Sequence, residues 1–227
     1  IIHLGDYFEH RKFVNFKALN QNKKVFLDVL RERGIHMYII PGNHDVYYKN
    51  TNQLNSLREC LSEYDDSVTI YEECVDLNLD NIQIGMVPWI CSDNESDCLK
   101  FLENTKSQII MGHFELGGFK YMANANIKSH GMDKSKLKRF DAVYSGHYHT
   151  KSTQDNVTYL GTQLELTWSD AGDPKYFHIF DTNTREMTPV RNPHTLFERI
   201  TYDEENPVQL REEMIIGKYI KIIVTSK

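Results

Sequence analysis

The sequence predicts an α/β protein in which two sheets pack face to face, with helices on their outer sides. The first half of the chain mixes helical and strand periodicity, whereas the second half contains several strands and few helices. In addition, four apolar runs end in a glycine followed by a side chain that can bind a metal. This is the pattern expected where the strands of an α/β sheet end at a ligand site.

The composition is that of one globular domain spanning residues 1–227. Apolar residues make up 40% of the chain, and the ordinary charged fraction argues against disorder. No apolar stretch approaches the length of a membrane span, so we expect no membrane partner. A net charge of −6 argues against a protein coated in positive charge. The four cysteines have no metal or redox spacing, which indicates reduced thiols and a cytoplasmic protein.

Periodicity and turn signals define the elements of the first half. A helix predicted over residues 14–33 ends at Gly34, because glycine is favoured at helix C-termini. Asp80-Asn81 is predicted to be a hairpin turn between two short strands. The other predictions for this half are strands at 1–4, 35–40, 68–71, 74–79 and 82–87, and a helix at 51–64.

The second half is predicted to be richer in strands. A helix at 95–104 precedes a strand at 108–111. Residues 117–131 are the one long irregular stretch, for which a functional loop and an ordinary surface loop both remain open. Further strands are predicted at 140–145, 157–160, 176–181, 186–190, 196–201 and 219–224.

The motifs at the strand ends combine glycine with oxygen and imidazole ligands. A glycine lets the backbone turn sharply, so side chains from four strand ends can converge on one point. Oxygen and imidazole ligands together suit manganese, iron or zinc better than calcium or magnesium. The absence of cysteine from the motifs argues against a structural zinc site. The motifs are Gly5-Asp6, Gly42-Asn43-His44-Asp45, Gly112-His113 and Gly146-His147-Tyr148-His149.

With these motifs in this order, the chain resembles the calcineurin-like metallophosphoesterases. The resemblance implies their fold, a four-layer α/β/β/α sandwich of two mixed sheets. A finer similarity is to the SbcD-type DNA repair nucleases, including those encoded by phages. Such nucleases work with an SMC-like ATPase and are typically activated by manganese. The finer similarity lies in residues 5–12, 113–119, 128–131, 159–162 and 173–174.

The sequence also departs from the family pattern. The family places an Asp-x-His motif on a strand upstream of Gly5, and this motif is absent here. We therefore expect a domain that is truncated at its N-terminus and lacks its first strand. The capping and ATPase-binding regions of the family are expected to be absent, or only begun after about residue 205. Glu9 stands where some relatives have histidine, and no role is assigned to it.

The resemblance implies a ligand set for two divalent cations. Asp6 would bridge the two cations, and Asn43, His113 and His147 would complete one site, while His149 would belong to the other. Manganese is favoured, with iron, zinc and magnesium as alternatives. Two cations about 3.5–4 Å apart activate water and stabilise an in-line displacement at phosphorus.

The resemblance also implies catalytic and substrate-binding residues. His44 is expected to face the scissile phosphate and to stabilise or protonate the leaving oxygen. Asp45 is expected to orient His44. Arg11 and Lys12 are candidates for substrate binding, with solvated surface as their alternative, and His130 in the irregular stretch is a further candidate.

The implied function is a manganese-dependent DNA nuclease subunit of a recombination-repair complex. It would act as a double-strand exonuclease and a single-strand endonuclease, in the host cytoplasm if a phage encodes it. DNA and an SMC-like ATPase are the implied partners, and a homodimer stays open. Two alternatives remain. One is a small-molecule phosphoesterase, which the negative net charge mildly favours, and the other is an inactive scaffold if the first metal motif is truly missing.

Overall fold

Two β-sheets lie face to face at the centre of the molecule, for which a computed structural model describes residues 1–123, 125–203 and 209–224. The smaller sheet contains β1 (Ile2–His3), β2 (Met37–Ile39) and β3 (Val68–Ile70), all parallel. The larger sheet has the order β4-β5-β6-β7-β9-β8 and is mixed. Its strands are β4 (Val75–Leu79), β5 (Ile82–Val87), β6 (Ile109–Gly112), β7 (Ala142–Ser145), β8 (Ser152–Gln154) and β9 (Val157–Tyr159).

The alternation of side chains along the strands divides the core into three apolar clusters. On β2, Met37 and Ile39 face the outer helices, whereas the neighbouring Tyr38 and Ile40 face the larger sheet. On β6, Met111 faces the smaller sheet and Ile110 faces away from it. Helices cover the outer faces of both sheets. The predicted four-layer arrangement is therefore confirmed, although the described pairings of the smaller sheet are all parallel rather than mixed.

The outer helix on the smaller sheet spans residues 16–32, close to the predicted bounds. It consists of α1 (Phe16–Asn22), a π-helical turn (Lys23–Leu27) and α2 (Asp28–Glu32). The side chain of Asn15 accepts backbone N–H groups at its start, and Gly34 takes a φ of +65° just beyond its end.

The next helix, α3 (Ser56–Leu61), begins five residues later than predicted and continues as a 3₁₀ turn (Ser62–Tyr64). The reason is local, because the side chain of Asn55 accepts the backbone N–H of Arg58 and so fixes the start of the helix. On the outer face of the larger sheet, α4 (Glu95–Asn104) has the predicted bounds.

The remaining strands form two separate pairs. The antiparallel pair β10 (Tyr176–Phe180) and β11 (Met187–Arg191) places Phe180 and Met187 against the core between the sheets. The second pair, β12 (Phe197–Tyr202) and β13 (Tyr219–Val224), is parallel. The 3₁₀ turns Lys134–Leu137 and Glu212–Met214, and the short polar strand β8, were not predicted. In the described parts of the chain, every helix is too short or too polar to cross a bilayer.

Candidate metal centre

The glycine motifs meet where β1, β2, β6 and β7 end. Asp6 follows β1 and Asn43 follows β2, while His113 and His147 follow β6 and β7. β1 and β2 are parallel neighbours in the smaller sheet, and β6 and β7 are parallel neighbours in the larger one, so the carboxyl ends within each pair lie at the same edge. One ligand atom from each of Asp6, His113 and His147 lies within 4.8 Å of the other two. The structure thus brings together residues that are more than 100 positions apart.

Glycine is required where the loops of the two sheets touch. Gly5 has a φ of +87°, and a Cβ atom there would lie 2.6 Å from both Gly42 N and His113 Nδ1. A Cβ atom on Gly42 would lie 2.3 Å from the backbone nitrogen of Asp6. No side chain fits at such distances, and the close approach of these main chains is what allows the side chains of the cluster to converge.

Three polar side-chain atoms, one each from His113, Asn43 and Asp6, face one another at the centre of the cluster. The Nδ1 atom of His113 lies 2.6 Å from the carbonyl oxygen of Leu4, and because a carbonyl only accepts, Nδ1 carries a proton. The Nε2 atom of the same ring lies 3.0 Å from Asn43 Oδ1 and 3.2 Å from Asp6 Oδ2. In the neutral ring, all three of these atoms are acceptors. A cation between them removes their repulsion, so the residues present fit a metal ion.

Neighbouring charges shift the pKa values of the cluster, and at His113 a proton competes with a cation for Nε2. Burial raises the pKa of Asp6, but His113 and the backbone N–H of His44 outweigh it and hold the net pKa below the usual range. Burial lowers the pKa of His113, and the Asp6 carboxylate more than reverses this effect. Burial and the proximity of His113 lower the pKa of His147 to about 3. Asp6 is thus ionised and His147 neutral at pH 7, as metal ligands must be.

Two residues of the cluster have a strained backbone. Asp6 has a φ of +54° and His147 a φ of +77°, in the left-handed region that side chains other than glycine rarely adopt. Asp80 and Asp155 share this conformation, but they lie in hairpin turns, where it is ordinary. In addition, the buried Nδ1 of His147 has no hydrogen-bond partner in the described part of the protein. Strain and an unpaired polar atom at one residue are typical of a ligand site.

His149 lies beside this cluster and is held by a buried ionic group. Its Nδ1 lies 3.2 Å from Asp170 Oδ1, so the carboxylate fixes the proton on Nδ1 and leaves Nε2 with a lone pair. The Nζ atom of Lys175 lies 3.0 Å from the same Asp170 oxygen and 2.9 Å from Asp173 Oδ2. Burial raises the pKa of Asp170, but His149 and Lys175 outweigh it and lower the net pKa.

Asp170 and Lys175 were missed in the sequence. Neither belongs to a glycine motif, and their partner His149 lies more than 20 residues away, so no local spacing marks the pair. Among the described residues, His149 is not part of the mutually close group formed by Asp6, His113 and His147. Its assignment to a second cation therefore stays a prediction.

The partners of His44 differ from those predicted. The Nδ1 atom of His44 lies 2.6 Å from the carbonyl oxygen of Glu9, and its backbone N–H donates to Asp6 Oδ1. The oxygens of Asp45 instead accept the backbone N–H groups of Gly42 and Phe8. Burial raises the pKa of Asp45 to about 6. The carbonyl of Glu9, rather than Asp45, orients the ring, and Asp45 secures the loop that carries it.

The three candidates for substrate binding lie in different surroundings. The Nη1 atom of Arg11 is buried without a hydrogen-bond partner in the described ranges. Lys12 places its Nζ 5.7 Å from the centre of the Tyr47 ring. The side chain of His130 is 76% exposed and lies 4.0 Å from Glu115 Oε1. In the described residues, no hydrogen bond joins these three side chains to the cluster, and their role stays a prediction.

Comparisons with known proteins agree with this geometry. The model of the calcineurin-like phosphoesterase family matches residues 1–151. Exonuclease subunit 1 of Enterobacteria phage T4 is 33% identical over 224 residues, which cover 99% of this chain and 64% of that protein. A solved structure of an archaeal phosphodiesterase covers 84% of this chain and 81% of its own, with 14% identity and a TM-score of 0.40. The last similarity is too low to support an argument.

Proposed function

We propose, from the premise that this chain belongs to the calcineurin-like phosphoesterase family, that it is a metal-dependent nuclease acting on the phosphodiesters of DNA. The observation that carries the proposal is the convergence of lone pairs from Asp6, Asn43 and His113 on one point. The identity to a phage exonuclease subunit supports DNA as the substrate. Because the chain spans 64% of that relative, the activity of the whole protein is itself part of the proposal.

The first proposed cation is held by Asp6, Asn43, His113 and His147, and a second one involves His149. Bound divalent cations neutralise charge on the phosphate and lower the pKa of water. The mixture of oxygen and imidazole donors favours manganese, with iron, zinc and magnesium as alternatives.

His44 is the proposed proton donor. The carbonyl of Glu9 holds the proton on Nδ1, so Nε2 is the atom that exchanges a proton with the substrate. In the hydrolysis, the oxygen of a water molecule bonds to phosphorus while the bond from phosphorus to the leaving oxygen breaks. The proton on Nε2 passes to the leaving oxygen, and the water releases its proton to solvent.

The proposed partners follow from the family and from the printed name of the relative, which is a subunit. We include an SMC-like ATPase and DNA as partners of the whole protein, keep a homodimer open, and place the complex in the cytoplasm. The roles in recombination and repair belong to the same proposal.

The experiment is cleavage of linear DNA by the His44→Ala variant in the presence of manganese. We expect kcat to fall by about 10²–10⁴-fold, because a proton donor is lost, while bound manganese stays near the wild-type level. His194→Ala is the matched control, since His194 is an exposed histidine remote in sequence from every motif. A large loss of bound manganese from His44→Ala would instead make His44 a ligand.

An alternative function is that of a small-molecule phosphoesterase. The net charge of −6 favours it, because such a charge suits a small-molecule enzyme better than a DNA-binding protein. Bis(p-nitrophenyl) phosphate, p-nitrophenyl phosphate and linear DNA are therefore assayed side by side. Hydrolysis of the small esters without cleavage of DNA would support this alternative. Manganese binding without any hydrolysis would support an inactive scaffold.

A further inference from the structure

We infer that Trp89 is a substrate-binding residue of this centre, and that its indole N–H donates to a non-bridging oxygen of the bound phosphodiester. The inference rests on the proposed function. Trp89 lies just after β5 in the larger sheet, outside every glycine motif.

The indole ring packs directly against two of the proposed ligands. Its centroid lies 5.4 Å from that of His147, with an interplanar angle of 41°. The distance to the His113 ring is 6.0 Å at 78°, and the two imidazoles are 5.0 Å apart. The three rings therefore form one wall of the centre.

The backbone of Trp89 is fixed at both of its polar atoms. Its N–H donates to the carbonyl oxygen of Pro41, the residue that precedes the Gly42 motif, at 2.9 Å. Its carbonyl oxygen accepts from the side-chain amides of Asn52 and Asn94, at 2.9 and 3.0 Å. These bonds fix the backbone from which the indole projects, and the two imidazole rings pack against the indole itself, so little ordering is needed on binding.

The indole N–H is a buried donor without a protein acceptor. Within the described residues, Nε1 is shielded from solvent and makes no hydrogen bond. An indole nitrogen can only donate, and a buried donor without a partner is unfavourable. On the His113 ring, which packs edge-on against the indole, Nε2 is the atom that Asn43 Oδ1 and Asp6 Oδ2 approach and where the cation is proposed.

An acceptor supplied by the substrate completes this arrangement. The non-bridging oxygens of a phosphodiester carry negative charge and would lie at the cations, beside the wall of rings. A hydrogen bond to such an oxygen is stronger than one between neutral groups. We therefore expect Trp89 to contribute to affinity for the phosphate group, whatever the sequence of the DNA.

The experiment replaces Trp89 with 3-benzothienylalanine, in which sulfur takes the place of the N–H in a ring of nearly the same shape. The replacement is made in a Trp168→Phe background, because the chain has two tryptophans. Binding of inorganic phosphate to the manganese-loaded protein is measured by calorimetry, together with manganese affinity and with KM and kcat on DNA. We expect phosphate affinity to fall about tenfold with a matching rise in KM, while manganese affinity changes less than about twofold.

Two further variants distinguish the contribution of the indole N–H from that of the aromatic ring. Trp89→Phe keeps an aromatic ring and is expected to repeat the loss of phosphate affinity. Trp89→Leu also removes the contacts with the imidazoles, and is expected to weaken manganese binding as well. Trp168→Phe alone is the control, because Trp168 packs on Phe197, and it should keep all the wild-type values.

The outcomes distinguish this inference from the proposed function. Unchanged phosphate affinity in both the benzothienyl and the Phe variants of an active protein would overturn the inference alone. A wild-type protein that binds manganese but neither binds phosphate nor cleaves DNA would overturn the proposed function, and this inference with it.

Discussion

His147 carries two local costs that no other described histidine combines. Its φ of +77° lies in the left-handed region, and its buried Nδ1 is unpaired within the described chain. Such a conformation costs on the order of 1–3 kcal/mol for a residue other than glycine. A cation bound at His147, as proposed, would offset these costs.

Replacing His147 with asparagine should separate stability from metal binding. Asparagine tolerates the left-handed region better, and the change removes the ring whose buried Nδ1 lacks a hydrogen-bond partner in the described residues. We expect the free energy of unfolding in EDTA to rise by about 1 kcal/mol, while manganese affinity falls. Urea unfolding measures the first effect and metal titration the second. His194→Asn, at an exposed site, is the control, and a drop in stability of His147→Asn would contradict the strain argument.

His3 predicts how the stability depends on pH. Burial, followed by the proximity of His113, lowers its pKa from the ordinary 6.5 to about 4. Between pH 4 and pH 6.5 the unfolded chain binds more protons at His3 than the folded protein does. The contribution of His3 to the free energy of unfolding is therefore fully present above pH 6.5 and is lost as the pH falls toward 4. Phenylalanine at position 3 would not titrate, and it would keep an aromatic ring against Tyr7. In the wild type the centroids of the His3 and Tyr7 rings are 5.2 Å apart.

We therefore expect His3→Phe to lose less stability on acidification than the wild type, by about 3 kcal/mol at pH 4. Urea unfolding in EDTA at pH 7, 6, 5 and 4 gives this difference. The contribution of His147 is present in both proteins and cancels. Parallel curves for the two proteins would show that His3 is not held neutral by the fold.

At the scale of elements, a buried ionic group fixes the segment that leads into β10. Lys175 lies between Asp170 and Asp173 and also donates to the carbonyl oxygen of His149. Asp170 in turn accepts from the backbone N–H groups of Leu166 and Thr167. The group thus joins the loop after β9 to the His149 motif.

Lys175→Met should be strongly destabilising, because it leaves buried carboxylates without their cation. We expect a loss of about 3–5 kcal/mol in the free energy of unfolding. Lys134→Met is the control, since Lys134 pairs with Asp155 at the surface and should contribute less than about 1 kcal/mol. Chemical denaturation of both variants makes the comparison. Equal effects would mean that burial does not set the strength of the Lys175 group.

Elements with a clear helical spacing and charged first turn were predicted well, whereas a local cap and a pairing between strands were missed. The bounds of α4 match, because Glu95 and Asp97 mark its first turn and its apolar spacing is helical. The start of α3 was predicted too early, because the cap at Asn55 overrode the spacing. Strand β8 exists through its pairing with β9, which a short polar sequence does not indicate.

At the scale of the whole molecule, the proposed cation joins the two sheets. Asp6 follows a strand of the smaller sheet, whereas His113 follows a strand of the larger one. An ion bound between them stabilises the folded protein, because the unfolded chain has no such site.

Manganese should therefore raise the melting temperature. At a free concentration of 100 times Kd we expect a gain of about 2.7 kcal/mol. For a chain of this size that corresponds to a rise of about 5–10 °C. Asp6→Asn should remove most of the shift and Asp155→Asn should keep it, with differential scanning calorimetry as the measurement. An Asp6→Asn protein with the full wild-type shift would argue against Asp6 as a ligand.

The motifs predicted that Asp6, Asn43, His113 and His147 come together, since the carboxyl ends of parallel strands meet at one edge, whereas His149 is not part of the mutually close group among the described residues. The motifs could not predict the hydrogen bonds that hold those residues. Glu9 holds His44 through its backbone carbonyl, and any residue offers that atom, so no side-chain pattern could reveal it. Trp89 likewise gave no signal beyond its residue type.

The tight contacts between backbones have a consequence for laboratory evolution. An added methyl group on Gly146 would sit 2.5 Å from the carbonyl oxygen of Leu4, as severe an overlap as those at Gly5 and Gly42. Diversifying these positions in a library would mostly yield misfolded clones. A new side chain has more space at Gly118, where the nearest atom to an added Cβ is 3.9 Å away. The φ of +92° at this position favours asparagine over branched residues.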